Sequence, residues 1–104
     1  MIKQINEKAF NELVLGKDGL MVVDFFATWC GPCRMLAPVM DNAANELADV
    51  TFYKVDVDEN ELLASKFGIS SIPCLIIFKN GKAVDRILGY RPLNDILNWI
   101  KSHK

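Results

Sequence analysis

A continuous apolar stretch at residues 20–27 leads almost directly into a pair of cysteines, and this junction constrains the fold more than any other feature of the chain. Only Asp24 interrupts the stretch, as expected of a central β-strand that is covered on both faces. A helical pattern follows, so Cys30 and Cys33 lie where a strand gives way to a helix. Cysteines three residues apart at a helix start face the same side, and their sulfurs can therefore form a disulfide or remain a dithiol.

The two cysteines are expected to differ in reactivity because they occupy different positions at the helix start. Cys30 lies at the N-terminus, where unpaired N–H groups and the positive end of the helix dipole favour a thiolate. Cys33 lies one turn further in, where it is less exposed and better placed to attack second. Gly31 permits a tight backbone turn, and Pro32 suits the first turn because no N–H partner is needed there.

The length and charge of the chain exclude some classes of protein. A chain of 104 residues, 51% of them hydrophobic, can bury roughly two-thirds of its unfolded surface, so residues 1–104 are expected to form one domain. The formal net charge is −1. That value argues against nucleic-acid binding, which requires a basic patch.

The cysteine count and the lengths of the apolar runs bear on the compartment. Three cysteines are an odd number, which disfavours a fully paired secreted framework. The first seven residues contain no apolar signal core, and no run approaches the ~20 apolar residues of a membrane span. We therefore expect a cytoplasmic, reducing environment and no membrane association.

Hydrophobic periodicity and turn signals divide the chain into strands and helices. Strands are predicted at residues 1–5, 20–27, 50–57, 73–78 and 83–88. Helices are predicted from Asn6 to about residue 15, after Cys33, over residues 60–67, and from Pro92 onward. Pro38 falls inside the second helix and is expected to kink it. Asn80-Gly81 between two apolar runs predicts a hairpin.

The resulting order, β-α-β-α-β-α-β-β-α, predicts an α/β fold with a central mixed β-sheet. The early strands should run parallel through right-handed crossovers, whereas the last two should form an antiparallel hairpin. Helices are expected on both faces of the sheet. No linker, repeat or low-complexity segment divides the chain.

The residues around the cysteine pair resemble the active site of the thioredoxin family. A Cys-x-x-Cys alone would be a weak signal, because zinc ribbons also use it. Here Trp29 precedes the pair, Gly31-Pro32 forms its centre, Asp24 stands six residues before Cys30, and Ile72-Pro73 follows downstream. The resemblance extends along the whole chain and implies a thioredoxin fold.

The resemblance assigns roles to two charged residues near the pair. The apolar neighbours of Asp24 already predict that it is buried, which would raise its pKa; the resemblance adds that it relays a proton to or from Cys33. The alternative is a structural aspartate satisfied by backbone or water. Lys54 would lie close to Asp24 and assist it, whereas from its own sequence neighbours it could equally be a solvated or snorkelling lysine.

The same resemblance implies a cis peptide bond between Ile72 and Pro73, packed against the cysteine pair; the alternative is a proline that starts a strand. A cis proline would leave the preceding backbone free to pair with an extended substrate segment. An apolar docking surface around Cys30, here called the rim, would consist of Trp29, Gly31, Pro32, Ile72, Pro73 and Gly89, with Tyr90 as a further candidate.

Some residues depart from the family pattern. Cys74 stands where many thioredoxins have threonine; we interpret it as a small buried hydrophobe, with a regulatory thiol or a third ligand beside the dithiol as alternatives. Phe26 replaces a common tryptophan, so Trp29 is the only indole expected at the site, and Trp99 is expected to pack. Asp56, Asp58 and Asn60 resemble the start of a calcium loop, but Glu61 stands where glycine is needed, so they are interpreted as a polar loop and helix cap.

The activity implied by the resemblance is that of a protein-disulfide reductase. The Cys30 thiolate would attack a substrate disulfide, and Cys33 would resolve the mixed disulfide and leave a redox-active Cys30–Cys33 disulfide. A thioredoxin reductase would return the electrons, no cofactor or metal would be bound, and the chain would act as a monomer.

Three other functions remain open from the sequence. An oxidase or isomerase domain of the same fold would rescue scrambled disulfides, and a binding module would dock partners through the rim without redox turnover. Metal binding through Cys30, Cys33 and Cys74 is the third; His103, the only histidine, lies in the tail and would have to fold back to contribute.

Overall fold

A computed structural model describes residues 2–104, and its elements follow the predicted order. The elements are β1 (Lys3–Gln4), α1 (Glu7–Leu13), β2 (Leu20–Phe26), α2 (Gly31–Glu46), β3 (Thr51–Asp56), α3 (Glu61–Lys66), β4 (Cys74–Lys79), β5 (Lys82–Leu88) and α4 (Leu93–Lys101). Most differ from the predicted bounds by one or two residues at each end. Met1, which the sequence placed in the first strand, lies outside the described residues.

The five strands form one sheet in the order β1-β3-β2-β4-β5. The pairs β1–β3 and β2–β3 are parallel, whereas β2–β4 and β4–β5 are antiparallel. The predicted mixed sheet is therefore confirmed. Strand β2, which leads into the cysteine pair, lies at the centre with a partner on each side.

Two cores cover the two faces of the sheet, because successive side chains of a strand point to opposite faces. Val22 belongs to a core with residues of α2 and α4 such as Leu36 and Ile96. Val23 belongs to the opposite core, with Phe10 of α1 and residues of α3. The prediction that helices lie on both faces is confirmed, and Asp24 shares the α2 face with Val22.

Polar side chains and turn residues set several of the element ends. The Asn6 side chain accepts a hydrogen bond from the Ala9 N–H at 2.9 Å, which caps α1 as predicted. Helix α1 stops at Leu13, two residues before the predicted end. Asn80 and Gly81 both have positive φ, as a two-residue hairpin turn requires, and this confirms the hairpin.

Helices α2 and α4 lie on the same face of the sheet and carry the site and the chain end. Helix α2 continues past Pro38 to Glu46; the kink at Pro38 stays a prediction. Trp99 of α4 packs against the α2-side core, and its Nε1 donates a hydrogen bond to Asp85 Oδ2 at 3.0 Å. Its predicted packing role is confirmed. Across residues 2–104, no helix combines the length and apolarity needed to span a bilayer.

Candidate active site

Cys30 and Cys33 form a disulfide at the start of α2. Cys30 is the N-cap residue of the helix, and its Sγ accepts a hydrogen bond from the Cys33 N–H at 3.2 Å. Gly31 and Pro32 make the first turn, where proline loses no intrahelical hydrogen bond. Both sulfur-bearing residues are buried, so the reactive group is recessed at the end of β2. The helix start supplies N–H groups and a positive dipole end to the Cys30 sulfur.

The peptide bond between Ile72 and Pro73 is cis, as the sequence resemblance implied. Cys30 Sγ lies 3.9 Å from the Ile72 carbonyl oxygen, so this segment is next to the disulfide. Pro73 is buried, and its carbonyl oxygen accepts a hydrogen bond from the Gly89 N–H at 2.8 Å. Three chain segments that are distant in sequence therefore meet beside Cys30.

Asp24 is buried in the middle of β2, with 6% of its surface exposed. Its Oδ1 has no hydrogen-bond partner among residues 2–104. Desolvation by burial raises the pKa of Asp24 to about 7, against the opposing effect of the Lys54 charge. Asp24 and Cys33 line the same cavity, which has a volume of about 280 Å³ and is bounded also by Lys54 and Arg34.

Lys54 lies directly beside Asp24 in the sheet, because the two residues are register partners on β3 and β2. Its ammonium lies 5.5 Å from the centre of the Phe26 ring, a cation–π arrangement, and the side chain is half-buried. The two charged groups do not form a direct salt bridge in the described part of the chain. Lys54 therefore acts on Asp24 through space and lowers its pKa.

Trp29 is 67% exposed, and its indole is held in place by Asp58. The Trp29 Nε1 donates a hydrogen bond to Asp58 Oδ2 at 2.7 Å. Asp58 is in turn held by Asp56, whose Oδ1 accepts a hydrogen bond from the Asp58 N–H at 2.9 Å. Asp58 was predicted only as part of a polar loop, and its contact with Trp29 was not predicted. The only available signal was the cluster of acidic residues directly after a strand of the sheet.

The helix-cap interpretation of Asn60 is correct in position but not in bonding. Asn60 precedes α3 as its N-cap residue, yet its side chain makes no capping hydrogen bond. Instead its Oδ1 accepts a hydrogen bond from the Glu7 N–H at 3.0 Å, and its Nδ2 donates one to the Asp56 carbonyl oxygen at 3.0 Å. The loop that carries Asp58 is thereby tied to the start of α1.

The other predicted rim residues surround the disulfide with mixed exposure. Pro32 and Tyr90 are exposed, whereas Gly31, Ile72 and Gly89 are half-buried. Gly89 has a φ of +83°, a backbone conformation that side chains rarely adopt. Arg91, which was not predicted as a site residue, lies close to Gly89 and donates hydrogen bonds to backbone carbonyl oxygens of the same loop.

Cys74 follows Pro73 and points to the face of the sheet that α1 and α3 cover. It is fully buried in the core of α1 and α3, whereas Cys30 and Cys33 belong to a separate cluster at the end of β2. Burial raises the pKa of the Cys74 thiol, and the nearby Arg86 charge opposes that shift. Cys74 therefore does not join the cysteine pair as a third ligand. Within residues 2–104, no three His, Cys, Asp or Glu side chains are grouped to hold a metal ion.

Comparisons with known proteins agree with this geometry. The sequence profile of the thioredoxin family matches residues 1–102. A thioredoxin of Chlamydia pneumoniae is 45% identical over 103 residues, which cover 99% of this chain and 99% of that protein. A thioredoxin of Rickettsia prowazekii is 42% identical over 101 residues, 96% of each chain. Thioredoxin-2 of Saccharomyces cerevisiae is 45% identical over 93 residues, 88% of this chain and 89% of that protein.

Proposed function

Because this chain belongs to the thioredoxin family, we propose how its residues divide the work of dithiol–disulfide exchange. Thioredoxins are thiol-disulfide oxidoreductases that act without a bound cofactor, reduce protein disulfides and are re-reduced by a reductase. The Cys30–Cys33 pair performs the exchange in this chain. The single observation that carries the assignment is this pair at the start of α2, beside the cis Ile72–Pro73 bond.

In the first step, the Cys30 thiolate attacks one sulfur of the substrate disulfide. A Cys30–substrate disulfide forms, and the other substrate sulfur leaves as a thiolate. The anionic form of Cys30 is supported by its place at the N-cap of α2, where the Cys33 N–H already points at the sulfur. Cys30 is accordingly the nucleophile.

In the second step, Cys33 attacks the Cys30 sulfur and releases the remaining substrate sulfur as a thiolate. The Cys33 proton passes to the Asp24 carboxylate, directly or through a water molecule. Support comes from the shared cavity of Asp24 and Cys33 and from a pKa of about 7, which allows Asp24 to gain and lose a proton near neutral pH. The positive charge of Lys54 keeps the Asp24 pKa from rising further. Over both steps, two electrons pass from the dithiol to the substrate disulfide.

The rim serves as the substrate-binding surface in this proposal. Trp29, Gly31 and Pro32 form one side of it, and Ile72, Pro73 and Gly89 form the other. The backbone next to the cis bond can pair with an extended substrate segment. The exposed indole of Trp29, fixed by Asp58, supplies apolar contact area without further ordering of the side chain.

The cellular setting belongs to the same proposal. A thioredoxin reductase would supply the electrons, and the cytoplasm is the compartment that suits a dithiol reductant with one additional unpaired cysteine. We propose that residues 1–104 act as one domain and as a monomer. The match of the family profile to residues 1–102 supports the first of these.

The function is tested by reduction of insulin disulfides with dithiothreitol as the electron source. The wild type should accelerate the reaction, Cys30→Ser should abolish the acceleration, and Cys74→Ser should retain it. Cys33→Ser should accumulate a mixed disulfide with the substrate, detectable by mass. Full activity of Cys30→Ser would contradict the proposal and favour a binding role for the rim.

A further inference from the structure

Arg91 is fixed on the loop between β5 and α4, directly beside the rim. Its Nη1 donates hydrogen bonds to the carbonyl oxygens of Leu88 at 2.9 Å and of Tyr90 at 3.1 Å. A Cβ placed on Gly89 would lie 3.8 Å from the same nitrogen. The guanidinium is therefore anchored by the backbone next to Gly89, which reduces the entropy that it would lose on binding a partner.

A short path of contacts joins this guanidinium to the reactive sulfur. The Gly89 N–H donates to the Pro73 carbonyl oxygen at 2.8 Å. Pro73 follows Ile72, whose carbonyl oxygen lies 3.9 Å from Cys30 Sγ. A substrate segment that pairs with the backbone at Ile72 and Pro73 advances about 3.3 Å per residue. Side chains near its cysteine can consequently reach the Gly89–Arg91 loop.

The positive charge of Arg91 has no acidic partner within residues 2–104. The ion pairs of the described chain join Lys66 to Glu7, His103 to Asp85 and Lys104 to Asp49. Asp95, the acidic residue in the first turn of α4, forms no ion pair with Arg91. Among residues 2–104, the Nε and Nη2 groups of Arg91 also donate no hydrogen bond. These remaining donors have the planar geometry that matches a carboxylate.

We propose that Arg91 determines substrate specificity by binding an acidic side chain next to the disulfide cysteine of the substrate. The inference rests on the dithiol–disulfide exchange proposed above and adds a preference to it. The carboxylate would accept hydrogen bonds from the unused N–H groups of Arg91 while Cys30 forms the mixed disulfide. Because the pair is partly exposed to solvent, the expected preference is about two- to five-fold in rate.

The test uses symmetric disulfides of the peptide acetyl-Gly-Xaa-Cys-Yaa-Gly-amide, in which one flanking position is Glu or Gln and the other is Ala. Pre-reduced protein is mixed with each peptide, and the second-order rate constant is measured by acid quenching and chromatography of the released thiol. At one of the two flanks, wild type should reduce the Glu peptide about two- to five-fold faster than the Gln peptide. Arg91→Gln should bring that ratio to about one, and salt should weaken it.

Two other arginines provide matched controls for the change in net charge. Arg86 lies on β5, and its Nη2 donates to the Phe67 carbonyl oxygen at 2.6 Å, so Arg86→Gln should keep the wild-type ratio. Arg34 lies near the cysteines, and its Nη1 donates to the Thr28 carbonyl oxygen at 2.9 Å. Loss of the preference in Arg34→Gln, together with its retention in Arg91→Gln, would overturn the inference.

The outcome also separates this inference from the function on which it rests. Equal rates for the Glu and Gln peptides at both flanks would overturn the specificity of Arg91 and leave the reductase assignment intact. Failure of the reduced wild type to cleave either peptide would instead contradict the exchange reaction itself.

Discussion

Two aspartates on the same face of the sheet are equally buried but differently bonded. Asp24 and Asp56 have 6% and 5% of their surfaces exposed. Asp56 Oδ1 accepts a hydrogen bond from the Asp58 N–H at 2.9 Å, whereas Asp24 Oδ1 has no partner among residues 2–104. Burial alone therefore does not determine the role of an acidic side chain in this fold. Whether a backbone N–H group is available to hydrogen-bond the carboxylate also matters.

The difference follows from where each residue stands in its strand. Asp24 lies in the middle of β2, where β3 and β4 flank the strand and take up its backbone hydrogen bonds. Asp56 is the last residue of β3, where the chain turns and the Asp58 N–H becomes available. An acid at a strand end can stabilise the turn, while one at a strand centre is left with a perturbed proton affinity.

The largest expected effect is on stability, on replacing Asp24 with Asn. The pKa of Asp24 is about 7 in the native state, whereas an ordinary aspartate has a pKa of 3.8. The native state therefore binds the proton of Asp24 more tightly than the unfolded state does. Wild-type stability should therefore fall as pH rises from about 4 to about 7, by about 4 kcal/mol in total. Asp24→Asn should be more stable than wild type by about that amount at pH 8 and equal to it at pH 3.

Denaturant titration of the oxidised proteins across this pH range measures the difference. If the stabilities of wild type and Asp24→Asn kept a constant offset from pH 3 to pH 8, the assignment of a buried, tightly protonated Asp24 would be wrong.

The second expected effect is on the release step of catalysis, again through Asp24. If Asp24 takes the Cys33 proton, the rate of resolution of the mixed disulfide should rise with pH through about 7 in the wild type. Asp24→Asn should lose this inflection and slow the step by about 10²-fold at pH 8. Rapid mixing of reduced protein with a disulfide peptide gives the profile. A variant that kept the inflection would assign the titration to another group.

The third expected effect is a loss of stability on replacing Asp56, in contrast to the gain expected for Asp24→Asn. Asp56→Ala leaves the Asp58 N–H without its acceptor and should lower the free energy of unfolding by about 1–3 kcal/mol. Asp56→Asn is the matched control, because its side-chain oxygen can still accept the hydrogen bond and most of the stability should remain. Urea unfolding compares the two. Equal losses in both variants would show that the hydrogen bond is not what stabilises the turn.

The smallest effect is on the Asp24 pKa through Lys54. Removal of the neighbouring positive charge in Lys54→Met should raise the Asp24 pKa above about 7, by less than about one unit because the two groups form no direct ion pair. A carbon-13 titration of the Asp24 carboxyl group measures it. Lys82→Met, which removes a charge at the distant hairpin, is the control and should leave the value unchanged. A lower pKa in Lys54→Met would contradict the electrostatic role.

Features governed by local sequence could be predicted, and the burial of Asp24 is an example. Its apolar neighbours required a strand covered on both faces, and an aspartate in that strand had to be buried with them. The helix start at Cys30 and the hairpin at Asn80-Gly81 followed from local backbone preferences in the same way. For these residues the information lies within a few positions of the chain.

Contacts between loops could not be predicted, because many polar side chains are chemically equivalent partners. The Trp29–Asp58 hydrogen bond joins residues 29 positions apart, and Asp56, Asp58 and Glu59 all carry carboxylates in the same short stretch. Asn60 bonds to the Glu7 N–H rather than capping its own helix, because the packing of α1 brings that donor within reach.

With phenylalanine at position 26, the two tryptophans of the chain stand at two separate places. Trp29 stands next to the disulfide, whereas Trp99 lies on α4, where its Nε1 donates a hydrogen bond to Asp85 and its ring packs edge-on against His103. The intrinsic tryptophan fluorescence therefore comes from two sites that can be studied separately. With Trp99→Phe, the remaining fluorescence should follow oxidation at Cys30 and Cys33, and with Trp29→Phe it should follow only the cooperative melting of the chain.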